Sequence, residues 1–510
     1  MAADFTLRRY KVKLRFIQSF KHSTYKRSDY RSFTETSNQK SKTIMGGIFG
    51  TISTTDCVND LYYGTDYNSH LGTRRGGMAV YSGSGFTKAI HNIENSYFRT
   101  KFESDLPTFI GKSGIGVISD TESQPIIIRS HLGEFAIVTV SKIKNIEELT
   151  SRALKRHQHF SETGTIGTSP TELVAILINE EESIEKGIEN VFEKVQGSCT
   201  MLLLTNKGIF AARDKLGRTP IILGKKEGAY AISSESSSFD NIGFEIEKYI
   251  GPGEILFITA DGVEQCRKPN DKMQICAFLW VYYGYPSSCY EGINVEACRY
   301  RCGAALAKRD KEVVDFVSGV PDSGIAHAIG YSNEKQIPYK RAYVKYTPTW
   351  PRSFMPQNQE MRDLVARMKL IPVKELIEGN RIVFCDDSIV RGTQLKDTVK
   401  ILYDCGAKEI HIRPACPTLI YPCEFLNFST SRTTFDLAGR RAIDQLGEGE
   451  EHLNEYATPD TDRYYAMIEK IRESLGVTTL QYQHLNDLID AIGLPKEQVC
   501  THCWDGSSYF

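Results

Sequence analysis

The sequence predicts an α/β protein in two successive parts, an antiparallel, sheet-rich N-terminal half and a parallel α/β C-terminal half. Three observations carry this. Residues 381–393 read RIVFCDDSIVRGT, where the apolar run 382–385 predicts a fully buried strand and the helical spacing of KDTVKILY, 396–403, predicts the helix that follows. Between residues 197 and 262, short apolar or alternating segments are separated by turns at Asn206-Lys207-Gly208 and Asp261-Gly262, the pattern of antiparallel strands. A chain of 510 residues has room for two or more domains.

Bulk properties exclude several classes of function. The chain is 41% hydrophobic and 25% charged, with a net charge of −1, so neither nucleic acid nor an anionic membrane is expected as a partner. No apolar run approaches the roughly 18 residues of a membrane span. Thirteen cysteines without a secretory signal favour free thiols or metal ligands in a reducing, cytoplasmic setting over disulfides. Residues 1–44 differ from the rest, with eleven Lys/Arg against three acidic residues and many Ser and Thr. They read either as a basic, acid-poor transit segment or as a stretch ahead of a true start at Met45.

The chemistry concentrates where the predicted strand ends. Asp386 and Asp387 are followed by Ser388, Ile389, Val390, Arg391, Gly392 and Thr393 at the start of the predicted helix. Ligands of open α/β sheets bind at the carboxyl ends of strands, and N–H groups at a helix start favour phosphate. Paired carboxylates suit sugar hydroxyls or a phosphate-bound Mg²⁺. Each residue taken singly is also an ordinary surface-turn residue. The whole string resembles the phosphoribosyl pyrophosphate (PRPP) motif of type I phosphoribosyltransferases, in the version found in amidophosphoribosyltransferases.

That resemblance extends over nearly all of residues 45–510. The segment 313–320 reads as a strand leading into Pro321-Asp322-Ser323-Gly324, which resembles the family's pyrophosphate loop; some relatives carry Ser where Gly324 stands. Residues 343–345 read as another strand, and 345–354 (KYTPTWPRSF) resemble the loop that closes over PRPP, with Lys345 and Arg352 as pyrophosphate contacts. The segments MGGIFGTIS, LGTRRGGMAVYS and 197–262 resemble the family's N-terminal-nucleophile (Ntn) glutaminase domain, an αββα sandwich. The resemblance implies an Ntn-like domain over 45–275, a type I phosphoribosyltransferase domain over 276–475 and a C-terminal helix and cysteine-bearing tail over 476–510. It also favours Met45 as the start, leaving 1–44 as a basic extension.

One site of the family is missing. Its glutaminase attacks with a terminal cysteine whose own amine serves as base; Gly46 stands there. The family's oxyanion-hole Asn-Gly falls on Val140-Ser141, after the retained Gln124-Pro125. Its Arg-Tyr-x-Thr corresponds to Val117-Ile118-Ser119-Asp120, and its glutamine-binding Asp to Pro170. Cys57 has no free amine and is no substitute nucleophile. The expectation is a glutaminase half without its catalytic groups.

A further centre is implied. Cys500 and Cys503 form a C-x-x-C, which alone reads as a redox pair, half of a zinc site or coincidence. Some family members bind a 4Fe–4S cluster through such a pair and two earlier cysteines, and Cys276 and Cys423 stand at both matching places. Four thiolates are what such a cluster needs; zinc is the alternative. The other nine cysteines read as free thiols.

By resemblance, the transferase half binds Mg²⁺–PRPP. Residues 388–393 hold the 5-phosphate, and Asp386 and Asp387 the ribose hydroxyls and Mg²⁺. Residues Asp322, Ser323 and Gly324 with Lys345 and Arg352 hold pyrophosphate. The implied reaction forms 5-phosphoribosylamine from PRPP and ammonia in purine synthesis, with ammonia free or supplied by a separate glutaminase. The alternative is a PRPP- or nucleotide-binding regulator of an intact paralogue. A homodimer or homotetramer is implied by the family.

Overall fold

The computed structural model describes residues 46–161, 163–164, 167–346, 370–426 and 434–508. The basic segment 1–44 and Met45 lie outside them. The N-terminal half is built of two stacked sheets. Seven strands, β1 (Gly46–Ser53), β2 (Arg75–Tyr81), β3 (Phe86–Asn92), β4 (Ser113–Ser119), β9 (Ile222–Lys226), β10 (Ala229–Ser233) and β11 (Glu245–Tyr249), form the first, ordered β11-β9-β10-β1-β4-β2-β3. The second comprises β5 (Ile126–Ser130), β6 (Gly133–Ile143), β7 (Gly197–Thr205), β8 (Ile209–Ala212), β12 (Ile255–Ile258) and β13 (Val263–Arg267), ordered β13-β12-β8-β7-β6-β5.

β1 is buried along its whole length, and its alternation assigns its side chains to two cores. Ile48 and Ile52 point between the sheets, where they meet Ile115, Val138, Leu202 and Leu204. Phe49 points outward against helix α1 (Val58–Asp66). The contact is so close that a Cβ on Gly64 would lie 2.2 Å from the Phe49 ring. The outer face of the second sheet is covered by α2 (Pro170–Ile178) and α3 (Ile184–Lys194) through Leu173, Leu177, Ile188 and Val191. Helix, sheet, sheet, helix is the expected αββα layering.

The C-terminal half holds a four-stranded sheet, ordered β15 (Phe316–Gly319), β17 (Arg381–Asp386), β18 (Glu409–Pro414) and β19 (Thr479–Leu480). Every neighbouring pair is parallel. Helices α4 (Val295–Arg309) and α5 (Ile325–Lys335) and the buried face they share with β17 belong to the same hydrophobic cluster as Phe49, Leu61 and Met78 of the N-terminal half. α6 (Thr393–Asp404) and α7 (Asp462–Leu475) pack in a second cluster around Ile382, Phe384 and Ile412. The strand expected over 313–320 is confined to Phe316–Gly319, because Val313 is 72% exposed and has nothing to pack against. The expected closing helix is present as Leu485–Ile492.

Two features were not anticipated. The short strands β14 (Ile275–Cys276) and β20 (Val499–Cys500) pair in parallel, joining the tail to the point where the second half begins. A single π-helical turn, Leu279–Tyr283, follows β14; the carbonyls of Trp280 and Tyr282 within it and of Gly284 just after it accept from the buried Arg299 guanidinium at 2.9, 2.8 and 2.9 Å.

The parallel sheet is anchored by one buried ion pair. Arg413 at the end of β18 donates two hydrogen bonds to Asp310, at 2.6 and 3.1 Å, and Tyr331 of α5 donates a third at 2.6 Å. Arg413 holds the Asp310 carboxyl below the usual carboxylate range against the opposing effect of burial. Asp310→Ala leaves a buried guanidinium without its partner, and a loss of about 3–5 kcal/mol in chemical denaturation is the expected outcome. Because the folded-state pKa is depressed, this contribution is full above the ordinary Asp pKa of about 3.9 and is lost as pH falls through the folded value.

Candidate functional site

β17 is flanked on both sides and ends by delivering Asp386 and Asp387 at the carboxyl edge of the sheet. Asp386 Oδ1 accepts the Asp387 N–H at 2.9 Å and the Ser323 hydroxyl at 3.3 Å. Ser388 donates to Asp387 Oδ2 at 2.5 Å. Burial raises both carboxyl pKa values; repulsion by Asp387 adds to the shift at Asp386, while hydrogen bonds from Ser388 and Ser323 and the charge of Arg299 oppose it at Asp387. Acidic oxygens pushed together with so little compensating positive charge are a fit for a hard divalent cation such as Mg²⁺.

The loop after the pair is fixed from outside. Ile389 is buried, Ala438 N–H bonds the Val390 carbonyl at 2.8 Å, and Arg441 caps the Arg391 carbonyl. Gly392 sits at φ +73°, the left-handed turn that aims the chain into α6. Among the described residues, no acceptor takes the N–H groups of Ser388, Ile389, Val390, Arg391 or Gly392. Open N–H groups at a helix start form an anion cradle. The Arg391 side chain is directed away, to Asp436 at 2.9 Å, so its part in the cradle is its backbone.

The 321–324 turn lies across the same strand end, with Val320 N–H on the Cys385 carbonyl at 3.0 Å. A Cβ at Gly324 would stand 2.1 Å from that carbonyl, so the serine of some relatives has no room here. Lys345, at the end of a strand Tyr343–Lys345, pairs with Asp322 at 2.5 Å, both half exposed. The structure therefore brings together Asp322, Ser323, Gly324, Lys345 and residues 386–393; Arg352 lies outside the described residues.

The N-terminal half holds a second concavity, of about 40 Å³, lined by Gly46, Ser119, Val140, Ser141, Lys142 and Glu235 and closed from the C-terminal half by Leu279, Tyr283 and Leu426. That is room for a few waters. A Cβ added at Gly46 would lie 2.7 Å from the Ile118 carbonyl and 3.5 Å from Val140. Cys57 is buried outside this lining, and burial pushes its thiol pKa far up. Pro170 opens α2 and offers no side-chain acceptor; beside it Glu122 accepts from Ser169 and, at 2.7 Å, from Thr171. Asp120, buried, accepts the N–H groups of Thr73 and Arg74 at 2.6 and 3.0 Å, tying residues 71–75 down beside the cavity.

Glu235 joins the two halves. It is fully buried, faces His70 at 3.0 Å, and accepts from Tyr290 at 2.6 Å and from Ser288.

The four cysteines come from three distant segments. Cys276 and Cys500 are opposite one another in the β14–β20 ladder, and the Cys503 carbonyl accepts the N–H groups of Ile420 and Tyr421 at 3.1 Å each. Cys423 Sγ accepts the Leu426 N–H at 3.2 Å. A hydrogen bond with Cys503, and then the charge of Lys142, lower the Cys423 thiol against the opposing effect of burial. Among the described residues, no three His, Cys, Asp or Glu side chains are grouped to hold one metal ion. A single zinc requires all donors about 2.0–2.3 Å from one point. A four-iron cluster instead takes four thiolates, each on a different iron, and Cys276, Cys423, Cys500 and Cys503 are the residues that would supply them.

A family model described as a glutamine amidotransferase domain matches residues 113–241. The amidophosphoribosyltransferase of Methanocaldococcus jannaschii is 31% identical over 491 residues, covering 91% of this chain and 97% of that protein. This chain belongs to the amidophosphoribosyltransferase family. The Bacillus subtilis amidophosphoribosyltransferase is 28% identical over 476 residues, covering 90% of this chain and 93% of that protein. The solved glutamine PRPP amidotransferase of B. subtilis, complexed with ADP and GMP, matches with a TM-score of 0.79 at 28% identity, over 91% of this chain and 97% of that one. The sandwich and the parallel sheet are thus the Ntn and phosphoribosyltransferase parts of an amidophosphoribosyltransferase fold.

Sequence reasoning missed Asp120 as a loop staple, Glu235 as a clamp and Lys142 as a cavity wall. Asp120→Ala leaves two backbone N–H groups without their acceptor. The expected result is a loss of about 1–3 kcal/mol in thermal or chemical unfolding, with faster proteolysis at residues 71–75.

Proposed function

We propose that this amidophosphoribosyltransferase family member transfers the phosphoribosyl group of Mg²⁺-bound PRPP to ammonia, releasing pyrophosphate and forming 5-phosphoribosylamine for purine synthesis, with its glutaminase half inactive. The observation that carries the proposal is an asymmetry between the two sites. At the strand end, two carboxylates are followed directly by a run of N–H groups with no acceptor among the described residues. At Gly46 there is neither a nucleophile nor space for one. An oxyanion donor is worth about 3–4 kcal/mol of barrier, and Val140-Ser141 offers no counterpart to the family's Asn-Gly side chain.

In this reading, the N–H groups of 388–392 and Thr393 bind the 5-phosphate, and Asp386 and Asp387 accept the ribose hydroxyls. Asp322, Ser323 and Lys345 orient the pyrophosphate, and Lys345 exchanges its Asp322 partner for the incoming anion. Arg352 has the same role by resemblance. Bound Mg²⁺ neutralises leaving-group charge; the protein's own part is positioning and electrostatic support of a cationic C1. Ammonia attacks C1 as the C1–O bond to pyrophosphate breaks, and the resulting ammonium loses one proton. Ammonia comes from solution or from a separate glutaminase.

The same reading gives Cys276, Cys423, Cys500 and Cys503 a 4Fe–4S cluster, which clips the start of the transferase half, the 422–426 loop and the tail together. Iron and acid-labile sulfide in anaerobically purified protein support this; absence of both removes it. No helix among the described residues is long and apolar enough to cross a membrane.

Pyrophosphate release from Mg²⁺–PRPP, followed with ammonium chloride and with glutamine in parallel, tests the main proposal. Release with ammonium alone is expected, and Gly46→Cys is expected to add no glutamine dependence. Glutamine-dependent release by the natural chain overturns the inactive-glutaminase reading. PRPP binding without release under either condition identifies the regulator of an intact paralogue instead.

The raised Asp386 and Asp387 pair sets the sign of the pH dependence. Cation and ribose contacts need the ionised forms, so PRPP affinity is expected to fall with decreasing pH from above the ordinary carboxylate value of about 4. Asp387→Asn removes charged hydrogen bonds worth about 1.5–3 kcal/mol; isothermal titration is expected to show a loss of about ten- to a hundredfold.

A further inference from the structure

Lys142 occupies an unusual place between two sites. It lies on β6, directly after Val140-Ser141, and lines the Gly46 cavity. Its ammonium donates at 2.7 Å to the carbonyl of Cys423, 281 residues away in the other half. Its strand is held rigidly, paired to β7 with Lys142 opposite Ser198. The loop it grips is compact: Cys423 Sγ takes the Leu426 N–H at 3.2 Å, and Leu426 returns to line the same cavity. The fully buried Arg218 stacks its guanidinium 3.8 Å over the Phe425 ring. Two cations of the N-terminal half therefore reach the Cys423 loop, Lys142 through the Cys423 carbonyl and Arg218 over the Phe425 ring. Lys144, two residues on, makes a different contact, an exposed pair with Glu424 at 2.6 Å.

We infer that Lys142 is a positioning residue of the four-cysteine centre, holding the Cys423 loop in place and supplying the positive charge beside it. The strand that lines the inactive glutaminase cavity thus acts as the outer support of the cluster. This rests on the reading that the four cysteines hold a 4Fe–4S cluster. Groups behind metal ligands orient them and tune the metal. A cluster bound by four thiolates carries net negative charge that grows on reduction, so a nearby fixed cation favours the reduced form. The hydrogen bond to a carbonyl fixes the loop geometry independently of that charge.

The test compares the full-length natural chain with Lys142→Gln, Lys142→Arg and Lys144→Gln, all purified anaerobically. Iron and sulfide content, the midpoint potential of the cluster by electron paramagnetic resonance titration, and the rate of cluster loss to a ferrous chelator are measured. Lys142→Gln is expected to move the midpoint to more negative potential and to speed cluster loss several-fold. Lys142→Arg, which keeps charge and donor, is expected to remain near the natural values, as is Lys144→Gln. If Lys142→Gln loads no cluster at all while its circular dichroism matches the natural chain and Lys142→Arg loads normally, the positioning role stands. A natural chain without iron or sulfide refutes the cluster reading itself. A loaded natural chain whose potential and loss rate are unchanged in Lys142→Gln overturns the role of Lys142 alone.

Discussion

The molecule depends on strand β17 being enclosed on both edges and both faces. Hydrogen bonding to β15 and β18 consumes its backbone groups, while Val383 and Cys385 face one hydrophobic cluster and Ile382 and Phe384 the other. A strand so enclosed cannot slip by one residue without turning every side chain to the wrong core. Its end is therefore a fixed point, and two adjacent carboxylates placed there are held where burial and mutual repulsion act on them. The 321–324 turn and the 388–392 loop take their positions from the same strand.

The two sites differ in how their polar groups are partnered. At the sheet edge, the N–H groups of residues 388–392 have no acceptor among the described residues and stand open to water or a ligand. Around Gly46 the reverse holds. Polar groups there satisfy one another: Gln124 is bonded to Thr139, Thr139 to Thr171, and Thr171 to Glu122. Asp120 occupies the N–H groups of residues 73 and 74.

What could be read from the sequence was what is local. The succession of strand, acidic pair, glycine-bearing turn and helix is encoded within residues 381–404, and Gly46 declares a missing side chain directly. The strand at 343–345 and the closing helix at 485–492 were also legible from their own periodicity. Long-range partners were not. Lys142 and Cys423, and His70 and Glu235, meet only after the sheets stack, whereas Cys276 and Cys500 were grouped only through the family resemblance and not by their spacing. Nothing in the spacing of a lone lysine or glutamate distinguishes a clamp from a solvated charge. The pairing of the tail beside residue 275 was invisible for the same reason: two-residue strands have too short a pattern to announce themselves.

The hydrophobic cluster that runs without a break from Phe49, Leu61 and Met78 to Val383, Cys385 and Ala415 has a consequence for the N-terminal half. The N-terminal half forms one wall of the core on which the other half is built. Deleting it would expose that wall to water, and the fully buried Glu235 would leave Tyr290 and Ser288 without their acceptor. Within the N-terminal half, side chains that line the cavity and side chains that form the shared wall are different residues, so a change at the cavity leaves the wall in place, whereas removal of the domain does not. The N-terminal half is thus held in the molecule by the surface it gives the shared core.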